Sequence, residues 1–408
     1  MNVHEIRSMF PALSRKVYGK DLVYFDNAAT SQRVQSVLDE WNRISAESNA
    51  NIHRAVHRLA DEATQAYEVA RDAVKEFLNA SVREEVIFTS GTTAAINLVA
   101  FSFGEAFVKE GDEVVVTEAE HHSNIVPWQM MCRRKGAVLR VLPVDEDGHL
   151  KVGMLDDILN DKTRIVAVTH ISNVLGIVNP IKDIILKCHS KGVPVLVDGA
   201  QGAVHCKVDV QDLECDFYVF SGHKLYAATG TGVLYGKRNW LDQMPPYMGG
   251  GEMVGTVTFA ETTYAPLPMK FEAGTQNFAS AATLKQAVEF INLLSNNELI
   301  KYNDKIRDYL LDYFNSDERI RLFGVPRGTS EEKIPLFSFV VEGVHHEDLA
   351  LILDKMGIAV RSGQMCAEPL MDRFGVTGML RVSVAPYNTM EEAEYFVKCL
   401  NKAINMLM

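Results

Sequence analysis

The fold is decided by residues 216–232, DFYVFSGHKLYAATGTG, where an apolar run ends in a glycine turn that carries a lysine. The run is rich in aromatic and β-branched residues and predicts a buried strand. Gly222 is expected at the end of such a strand, but Lys224 is not, because a long charged side chain normally stays in water. A solvated loop lysine is the ordinary interpretation, so other parts of the chain must show whether this lysine has a chemical role.

Similar apolar runs occur on both sides of this stretch and alternate with helical patterns. The predicted strands are residues 85–90, 112–118, 138–144, 164–170, 193–198, 216–221 and 232–237. The clearest helical patterns between them are residues 54–79, 93–109 and 180–191. Several strands are apolar without alternation, which indicates burial on both faces and predicts an α/β fold with a mainly parallel, doubly wound sheet. Ligands of such sheets bind beyond the carboxyl ends of the strands.

The chain changes character after an irregular, glycine- and proline-rich stretch at residues 243–257. The elements predicted beyond it are helices at 282–296 and 298–316, a strand at 335–342, a helix at 347–356, strands at 358–361 and 379–384, and a helix at 390–404. This order predicts a smaller α+β domain. We therefore expect a large domain over residues 21–264, a C-terminal domain over 265–408, and an N-terminal segment, 1–20, that packs on the C-terminal domain.

The composition disfavours several classes of protein. The chain has 408 residues and a formal net charge of −12, which argues against nucleic acid or a membrane surface as the main partner. No apolar stretch approaches the roughly 20 residues that a membrane helix needs. The six cysteines are scattered without a CxxC pair, so we expect neither a zinc framework nor a disulfide scaffold, and we expect a cytoplasmic protein.

Polar residues follow the predicted strands at the edge where a ligand would bind. Residues 90–93, SGTT, precede a helix and suit an anion, although ordinary N-capping explains them equally well. Asp198 ends an apolar strand and is costly to bury without a cationic partner. An acid and Lys224 at two strand ends, beside an anion site, match the needs of pyridoxal phosphate, which takes a Schiff-base lysine, an acid at its ring nitrogen and a phosphate cradle.

Three rival interpretations are weaker. His53 and His57 have the i,i+4 spacing of helical metal ligands, but no HExxH glutamate and no third ligand candidate is nearby, so no metal is expected. No G-x-G-x-x-G follows the first strand, which disfavours a nicotinamide-binding Rossmann protein. A degenerate, non-catalytic fold is expected to lose Lys224 or Asp198, and both are present.

Ten short motifs follow one another along nearly the whole chain: YFDNAAT, VHR, EHHSNIVPWQ, THISNVLG, VLVDGAQ, DFYVFSGHKLY, FEAGTQN, GIAVRSG, CAEPLM and YNT. Together they resemble the class V aminotransferase family of pyridoxal-phosphate enzymes, which have the fold-type-I transferase fold. Within that family they are most similar to the group II cysteine desulfurases and selenocysteine lyases of iron–sulfur cluster assembly.

The resemblance implies a role for each residue of the cofactor site. Lys224 would bind the cofactor covalently and shuttle protons, Asp198 would keep the ring nitrogen protonated, and Gln201 would hydrogen-bond the phenolate oxygen. His121 would stack on the ring and belong to the catalytic set. The phosphate would be held by Thr92, Thr93, Ser221 and His223 and, across the interface of a homodimer, by Thr275.

The resemblance also implies a nucleophile in the C-terminal domain. Cys366 would be that nucleophile, because a thiolate forms in a positive, partly exposed setting and Arg361 lies five residues upstream. Asn173, Arg361 and Arg381 are expected at the substrate, where a guanidinium suits a carboxylate. L-Cysteine would give L-alanine and a persulfide on Cys366, which passes to an acceptor protein by thiol exchange.

Other reactions on the same cofactor stay open at this point. An L-selenocysteine lyase or a cysteine-sulfinate desulfinase would share the site, and Cys366 would be dispensable in it. A class V aminotransferase would return a keto acid and would need no nucleophilic cysteine. A lone cysteine is, besides, most often a small buried hydrophobe.

Four places depart from the usual group II pattern. Two histidines usually precede the cysteine, a glutamate usually follows SGTT, Gly-Pro usually follows the lysine turn, and proline usually stands in EAGTPN. In this chain Gln364 and Met365 precede the cysteine, Ala94 follows SGTT, Ala227 and Ala228 replace Gly-Pro, and Gln276 replaces the proline. The changes surround the nucleophile and the pocket, while the cofactor residues are intact.

Overall fold

The computed structural model describes residues 2–295, 299–325 and 332–408. Its strands are β1 (Lys16–Val17), β2 (Lys20–Asp21), β3 (Val23–Tyr24), β4 (Val86–Thr89), β5 (Glu113–Thr117), β6 (Val138–Leu142), β7 (Thr163–Thr169), β8 (Val195–Asp198), β9 (Phe217–Ser221), β10 (Gly232–Gly236), β11 (Val254–Val257), β12 (Thr262–Tyr264), β13 (Ile320–Phe323), β14 (Leu336–Val341), β15 (Ile358–Ala359), β16 (Arg361–Gly363) and β17 (Met379–Ser383).

The helices surround two separate sheets. They are α1 (Val3–Ser8), α2 (Gln35–Glu47), α3 (Arg58–Leu78), α4 (Thr92–Phe107), α5 (Val126–Lys135), α6 (Leu155–Ile158), α7 (Ile181–Ser190), α8 (Gly202–His205), α9 (Val210–Leu213), α10 (Arg238–Gln243), α11 (Phe278–Ala282), α12 (Leu284–Ser295), α13 (Leu299–Ser316), α14 (His346–Lys355), α15 (Glu368–Phe374) and α16 (Met390–Leu407). None of the helices in the described ranges has the length and apolar character to cross a bilayer.

The large sheet has the strand order β4-β10-β9-β8-β7-β5-β6. β10 runs antiparallel to β4 and β9, and the remaining pairs are parallel, which confirms the predicted fold class. Both faces are covered: along β7, Val166 and Val168 pack into one apolar cluster and Ile165 and Ala167 into another. This double burial is why the sequence shows continuous apolar runs instead of alternation.

The carboxyl ends of the parallel strands meet at one edge of the large sheet. β8 and β9 are neighbours with Asp198 opposite Val219, so Asp198 lies beside the turn that follows β9. At the adjoining strand, a Cβ on Gly232 would come within 2.4 Å of the Gly91 Cα atom. Only glycine allows the turn before α4 to approach the sheet this closely.

The second sheet is antiparallel, with the order β13-β14-β17-β16. Helices α13, α14 and α16 contribute to the apolar cluster beside it. The chain's N-terminal part joins this region, because β3 pairs with β15 and both Val23 and Phe25 are buried in the same cluster. The α+β order predicted for the last part of the chain is thus present in the described residues.

The N-terminal segment contacts both parts of the molecule. The ring of Phe10 lies 5.9 Å from that of Tyr226, 5.2 Å from that of Phe290 and 4.5 Å from that of Tyr387. Helix α12, which contains Phe290, packs against α3. The domain bounds at residues 20 and 264 stay a prediction.

Three local expectations differ from the structure. Helix α3 begins at Arg58 and not at residue 54, because His57 caps it by accepting the Ala60 N–H at 3.3 Å. The expected strand at 358–361 is two strands, β15 and β16, that join different sheets. The irregular stretch at 243–257 ends in one strand of an exposed hairpin, β11–β12, whose pairing partner lies beyond the stretch.

Candidate active site

Lys224 lies in a tight turn directly after β9. Gly222 donates its N–H to the carbonyl of Thr231 and accepts the N–H of Ala227, both at 2.9 Å. A Cβ on Gly222 would come within 2.7 Å of the Thr231 side chain, so the turn needs glycine there. The turn places Lys224 at the edge where the parallel strands end.

The charges around Lys224 come from distant parts of the chain. Burial lowers the pKa of Lys224 to about 8, the carboxylate of Asp198 opposes this shift, and the guanidinium of Arg381 adds to it. Cys366 also acts on this pKa. Three other residues expected at the site are therefore within electrostatic reach of Lys224.

Asp198 is a buried acid at the end of β8. It is 3% exposed, and its Oδ1 accepts the N–H of Ala200 at 2.9 Å. Burial raises the pKa of Asp198, while Lys224 acts in the opposite direction. A cationic ring nitrogen beside Asp198 would neutralise the buried charge.

A second buried acid, Glu120, lies behind this site. It follows β5 and is fully buried. Burial raises its pKa to about 8, and the charge of Asp198 adds to the shift. It accepts three hydrogen bonds of 2.6, 2.8 and 2.7 Å, from the hydroxyl of Thr117, the N–H of Thr169 and the amide of Asn124. Glu120 thus joins the ends of β5 and β7 directly before His121.

Glu120 was not among the residues predicted for the site. It is one letter of the EHHSN motif, and its buried partners are separated from it by up to 49 positions. A carboxylate at the end of a buried strand is the same signal that identified Asp198.

His121 and Gln201 both lie near Lys224. The Nδ1 atom of His121 accepts the N–H of Ser123 at 3.1 Å, so the neutral ring carries its proton on Nε2. Burial and the charge of Lys224 lower the pKa of His121 to about 4, which keeps the ring neutral at neutral pH. Gln201 is buried and donates one amide N–H to the carbonyl of Ala28 at 2.9 Å.

The first turn of α4, where an anion site is expected, contacts Ser221. Thr92 donates its N–H to Ser221 Oγ at 2.8 Å, and the two hydroxyls are also 2.8 Å apart. Thr93 is exposed at the start of α4, which has no side-chain cap of its own. His223 is half-buried, its ring Nδ1 lies 3.2 Å from Thr30 Oγ1, and burial lowers its pKa to about 4.

The two arginines that we expect at the substrate both contact one acid, Asp26. Arg381, 3% exposed, donates to the carbonyl of Asn173 at 2.7 Å, and its Nη2 lies 3.4 Å from Asp26 Oδ1. Arg361 lies 3.3 Å from the other oxygen of Asp26. Within the described residues the buried Nε of Arg381 has no hydrogen-bond partner. The YFDNAAT motif contains Asp26, but nothing in the sequence links it to either arginine.

Cys366 is exposed on a strained turn between β16 and α15. Met365 has φ +53° and Cys366 has φ +54°. Each left-handed residue other than glycine costs about 1–3 kcal/mol, which contacts elsewhere must offset. One hydrogen bond joins this turn to Asn173, a residue expected at the substrate: Asn173 Nδ2 donates to the Met365 carbonyl at 2.9 Å.

The two residues that replace the usual histidines serve the structure of this turn. Met365 is buried in the same apolar cluster as Leu370 and Met371. Gln364 donates its amide to Glu368 Oε1 at 3.3 Å. The imidazole beside this turn belongs to His122, the second histidine of EHHSN. The first histidine, His121, lies near Lys224.

Thr275 is exposed on a loop, residues 272–277, that lies near the start of α4. A cavity of about 220 Å³ separates this loop from the first turn of α4, and Ser90, Ala94 and Gln276 line it. A glutamate at position 94 would fill part of this space. Gln276 donates to the carbonyl of Glu272 at 2.6 Å and so closes the loop where a proline is usual.

A buried ion pair anchors the Thr275 loop, and sequence reasoning missed it. Arg71 in α3 is fully buried and binds both oxygens of Glu272, at 2.7 and 2.9 Å. Glu272 also accepts the hydroxyl of Tyr67 at 2.7 Å and the N–H of Phe88 at 2.7 Å. The loop that carries Thr275 is thereby fixed to α3 and β4.

The two histidines considered as metal ligands do not share a helix face. His53 precedes α3 with φ +68° and contacts Glu68 at 3.1 Å, whereas His57 is the cap of α3. In the described ranges no group of three histidine, cysteine or acidic side chains is arranged to hold a metal ion.

The residues present fit pyridoxal phosphate. The lysine amine lies within electrostatic reach of a buried acid, a helix N-terminus adjoins two hydroxyls, and a neutral imidazole and a buried amide lie nearby. A Cβ on Gly91 would come within 3.3 Å of Ser221 Oγ, so glycine keeps the space beside that hydroxyl open. The individual roles of Lys224, Asp198, Gln201, His121 and the phosphate-binding residues stay predictions.

Comparisons with known proteins identify the family of this chain. A model of the aminotransferase class-V family matches residues 23–396. A probable cysteine desulfurase of Halalkalibacterium halodurans is 45% identical over 402 residues, 98% of each chain. A cysteine desulfurase of Cronobacter sakazakii is 44% identical over 407 residues, 100% of this chain and 99% of the relative.

Solved structures give the same result. The cysteine desulfurase CsdA from Escherichia coli, in an S-sulfonic acid form, superimposes with a TM-score of 0.91 at 38% identity over 100% of both chains. The apo cysteine desulfurase of Thermococcus onnurineus also has a TM-score of 0.91, at 33% identity over 98% of this chain and 99% of the other. The chain belongs to the aminotransferase class-V family and, within it, to the cysteine desulfurases, which are pyridoxal-phosphate enzymes.

Proposed function

We propose that this enzyme converts L-cysteine to L-alanine and keeps the sulfur as a persulfide on Cys366. The observation that carries the proposal is the position of Lys224. Its amine lies within electrostatic reach of Asp198, Arg381 and Cys366, so the cofactor site, a carboxylate-binding cation and a thiol surround one point.

The side chains can divide the reaction among them. Bound pyridoxal phosphate supplies the electron sink that makes cleavage at the substrate carbons possible. Arg381, with its free Nε, and Arg361 orient the substrate carboxylate. Lys224, with its lowered pKa, is neutral often enough near pH 8 to remove the Cα proton and later return one to carbon.

The sulfur transfer balances without an added oxidant. The Cys366 thiolate attacks the substrate sulfur, an S–S bond forms, and the Cβ–S bond breaks with its electron pair leaving on the carbon side. Protonation of that carbon gives alanine, and Cys366 holds the persulfide. Attack by a thiol of an acceptor on this persulfide restores Cys366.

The first experiment measures alanine released from L-cysteine, with reductant, by the wild type and by Cys366→Ala. We expect alanine from the wild type and at least a hundredfold less from the variant, which loses the nucleophile. Unchanged turnover in Cys366→Ala would contradict the role of Cys366. No alanine from either protein would favour L-selenocysteine, cysteine sulfinate or another amino acid as substrate of the same site.

We infer that the enzyme works as a homodimer. Thr275 lies on an anchored, exposed loop, as a residue that serves a partner's phosphate site must. The β11–β12 hairpin projects apolar side chains into solvent, with Phe259 and Val257 among the most exposed of the chain. Together with the exposed Tyr264, these side chains group apolar surface on one hairpin, and such patches often mark protein–protein interfaces, so we infer that a second copy covers it.

We also propose that the persulfide serves iron–sulfur cluster assembly through an acceptor protein. Cys366 is exposed, so an acceptor thiol can reach it from solvent. A cytoplasmic location, inferred from the scattered cysteines, stays a prediction.

A further inference from the structure

The turn that carries Cys366 needs support from outside itself. Met365 and Cys366 are consecutive left-handed residues with φ +53° and +54°. Residues with a side chain leave this conformation readily unless their surroundings hold them. The turn's own hydrogen bond, from the Ala367 N–H to the Gln364 carbonyl at 3.0 Å, closes it but does not fix it relative to the cofactor side.

Contacts from the large-sheet region supply this support, and His122 makes two of them. Its N–H donates to the Cys366 carbonyl at 2.7 Å. Its ring Nε2 accepts the N–H of Glu368 at 3.0 Å. Glu368 begins α15, and the residue before it, Ala367, has no side-chain acceptor with which to cap that helix.

We propose that His122 is a positioning residue for sulfur transfer. Its imidazole Nε2 caps α15 and, together with the backbone bond to Cys366, holds the thiol in the strained turn. The proposal rests on the proposed function, in which Cys366 is the nucleophile. Because His122 directly follows His121 on the turn after β5, the ring that adjoins the cofactor and the ring that holds the nucleophile share one rigid segment.

The test compares His122→Leu, which loses the acceptor, with His122→Gln, whose amide oxygen can replace Nε2. A matched control is His345→Leu, which removes the same kind of contact, from His345 Nδ1 to the Glu347 N–H, at the start of α14. Each holoenzyme is examined for cofactor absorbance, for kcat and KM with L-cysteine, and for amide hydrogen exchange over residues 361–374.

We expect His122→Leu to lower kcat roughly ten- to hundredfold, because a misplaced nucleophile is costly. We expect KM and cofactor absorbance to be unchanged in His122→Leu. In the His345→Leu control we expect kcat, KM and cofactor absorbance all to be unchanged. Exchange at the Glu368 amide should rise about tenfold or more in His122→Leu. Gln at position 122 should restore most of kcat and of the exchange protection.

Three results would overturn the proposal. They are an unchanged kcat in His122→Leu, an equal loss of kcat in His122→Leu and His122→Gln, and a loss of bound cofactor that accounts for the loss of kcat. If the wild type releases no alanine, the proposed function fails separately, and the exchange at Glu368 alone decides whether His122 holds the turn.

Discussion

The lysine in the middle of GHKLY is explained by its surroundings. An isolated buried ammonium is unfavourable, and burial shifts the pKa of Lys224 down to about 8. The nearby carboxylate of Asp198 limits this shift, since it favours the charged amine. As a result, a substantial fraction of the Lys224 amine is neutral near pH 8, and the carboxylate of Asp198 stabilises the protonated fraction.

This balance predicts how the apoenzyme binds its cofactor. Only the neutral amine of Lys224 can attack the cofactor aldehyde, so the rate of covalent capture should rise with pH and level off above a midpoint of about 8. In Asp198→Asn the midpoint should move to lower pH, because the charge that raises the Lys224 pKa is gone. Stopped-flow absorbance at saturating cofactor measures both midpoints, and a midpoint in Asp198→Asn at or above the wild-type value would contradict the prediction.

For single residues, the sequence identifies some members of the candidate site but not others. Lys224, Asp198 and residues 90–93 could be found because each follows a strand whose apolar run is visible in the sequence. Asp26 and His122 could not be assigned roles, since their partners are distant in sequence: Asp26 lies 355 positions from Arg381, and His122 lies 246 from Glu368. Such pairings depend on tertiary packing, which no local pattern encodes.

Among the elements, the link between α3 and the Thr275 loop is the most sensitive to change. Removing one member of a buried ion pair leaves an uncompensated charge, which costs about 3–5 kcal/mol. We therefore expect Arg71→Met and Glu272→Leu each to lower the free energy of unfolding by that amount. The double variant should lose less than the sum of the two, which urea denaturation of all four proteins can measure. Strictly additive losses would contradict the pairing.

The turn after Lys224 explains one departure from the family pattern. Ala228 stands where proline is usual, and its N–H donates to Thr283 Oγ1 at 3.2 Å. Proline has no N–H, so Ala228→Pro should lower stability by about 1–2 kcal/mol despite the family preference. Thr283→Val is the matched control, because it removes the same bond from the other side. A melting temperature equal to or above that of the wild type in Ala228→Pro would show that this bond contributes little.

The bounds of the buried strands could be predicted from the sequence. Bounds that depend on pairing between distant parts of the chain could not. The seven strands of the large sheet lie within two residues of their predicted bounds, since continuous apolar runs end abruptly at polar turns. Residues 358–361 were predicted as one strand, because nothing in IAVR indicates that β15 pairs with β3 while β16 pairs with β17.

For the whole molecule, Lys333 links stability to pH. It is 1% exposed, donates to the carbonyl of Leu175, and burial lowers its pKa to about 7. An unfolded lysine has a pKa of about 10.4, so between pH 7 and 10 the unfolded state binds more protons and this residue makes stability rise with pH.

Lys333→Met removes that dependence. The free energy of unfolding of the variant minus that of the wild type should therefore fall by up to about 1.4 kcal/mol for each pH unit from 7 to 9, because only the wild type gains stability from this lysine. Urea denaturation at several pH values measures this difference. A difference that is constant with pH would show that Lys333 does not titrate in this range.

The association of two copies should depend on the β11–β12 hairpin. Phe259→Asp places a charge at the apolar tip, and we expect it to weaken the dimer at least tenfold by analytical ultracentrifugation. Glu261→Asp, a conservative change in the same hairpin, serves as the control. Cofactor affinity should fall together with dimerisation if Thr275 serves the partner, and an undiminished dimer in Phe259→Asp would place the interface elsewhere.

The pairing of β3 with β15 has a consequence for the order in which the chain matures. Val23 and Tyr24 leave the ribosome early, yet their partners, Ile358 and Ala359, are made more than three hundred residues later. Asp26, which contacts both substrate-side arginines, is joined to Ser383 in the same way. Strand β3 therefore stays unpaired until residues 358 and 359 have been made, and a chain that stops before Arg361 lacks both arginines that we expect at the substrate carboxylate. The expected substrate site is thus complete only after residue 381 has been made.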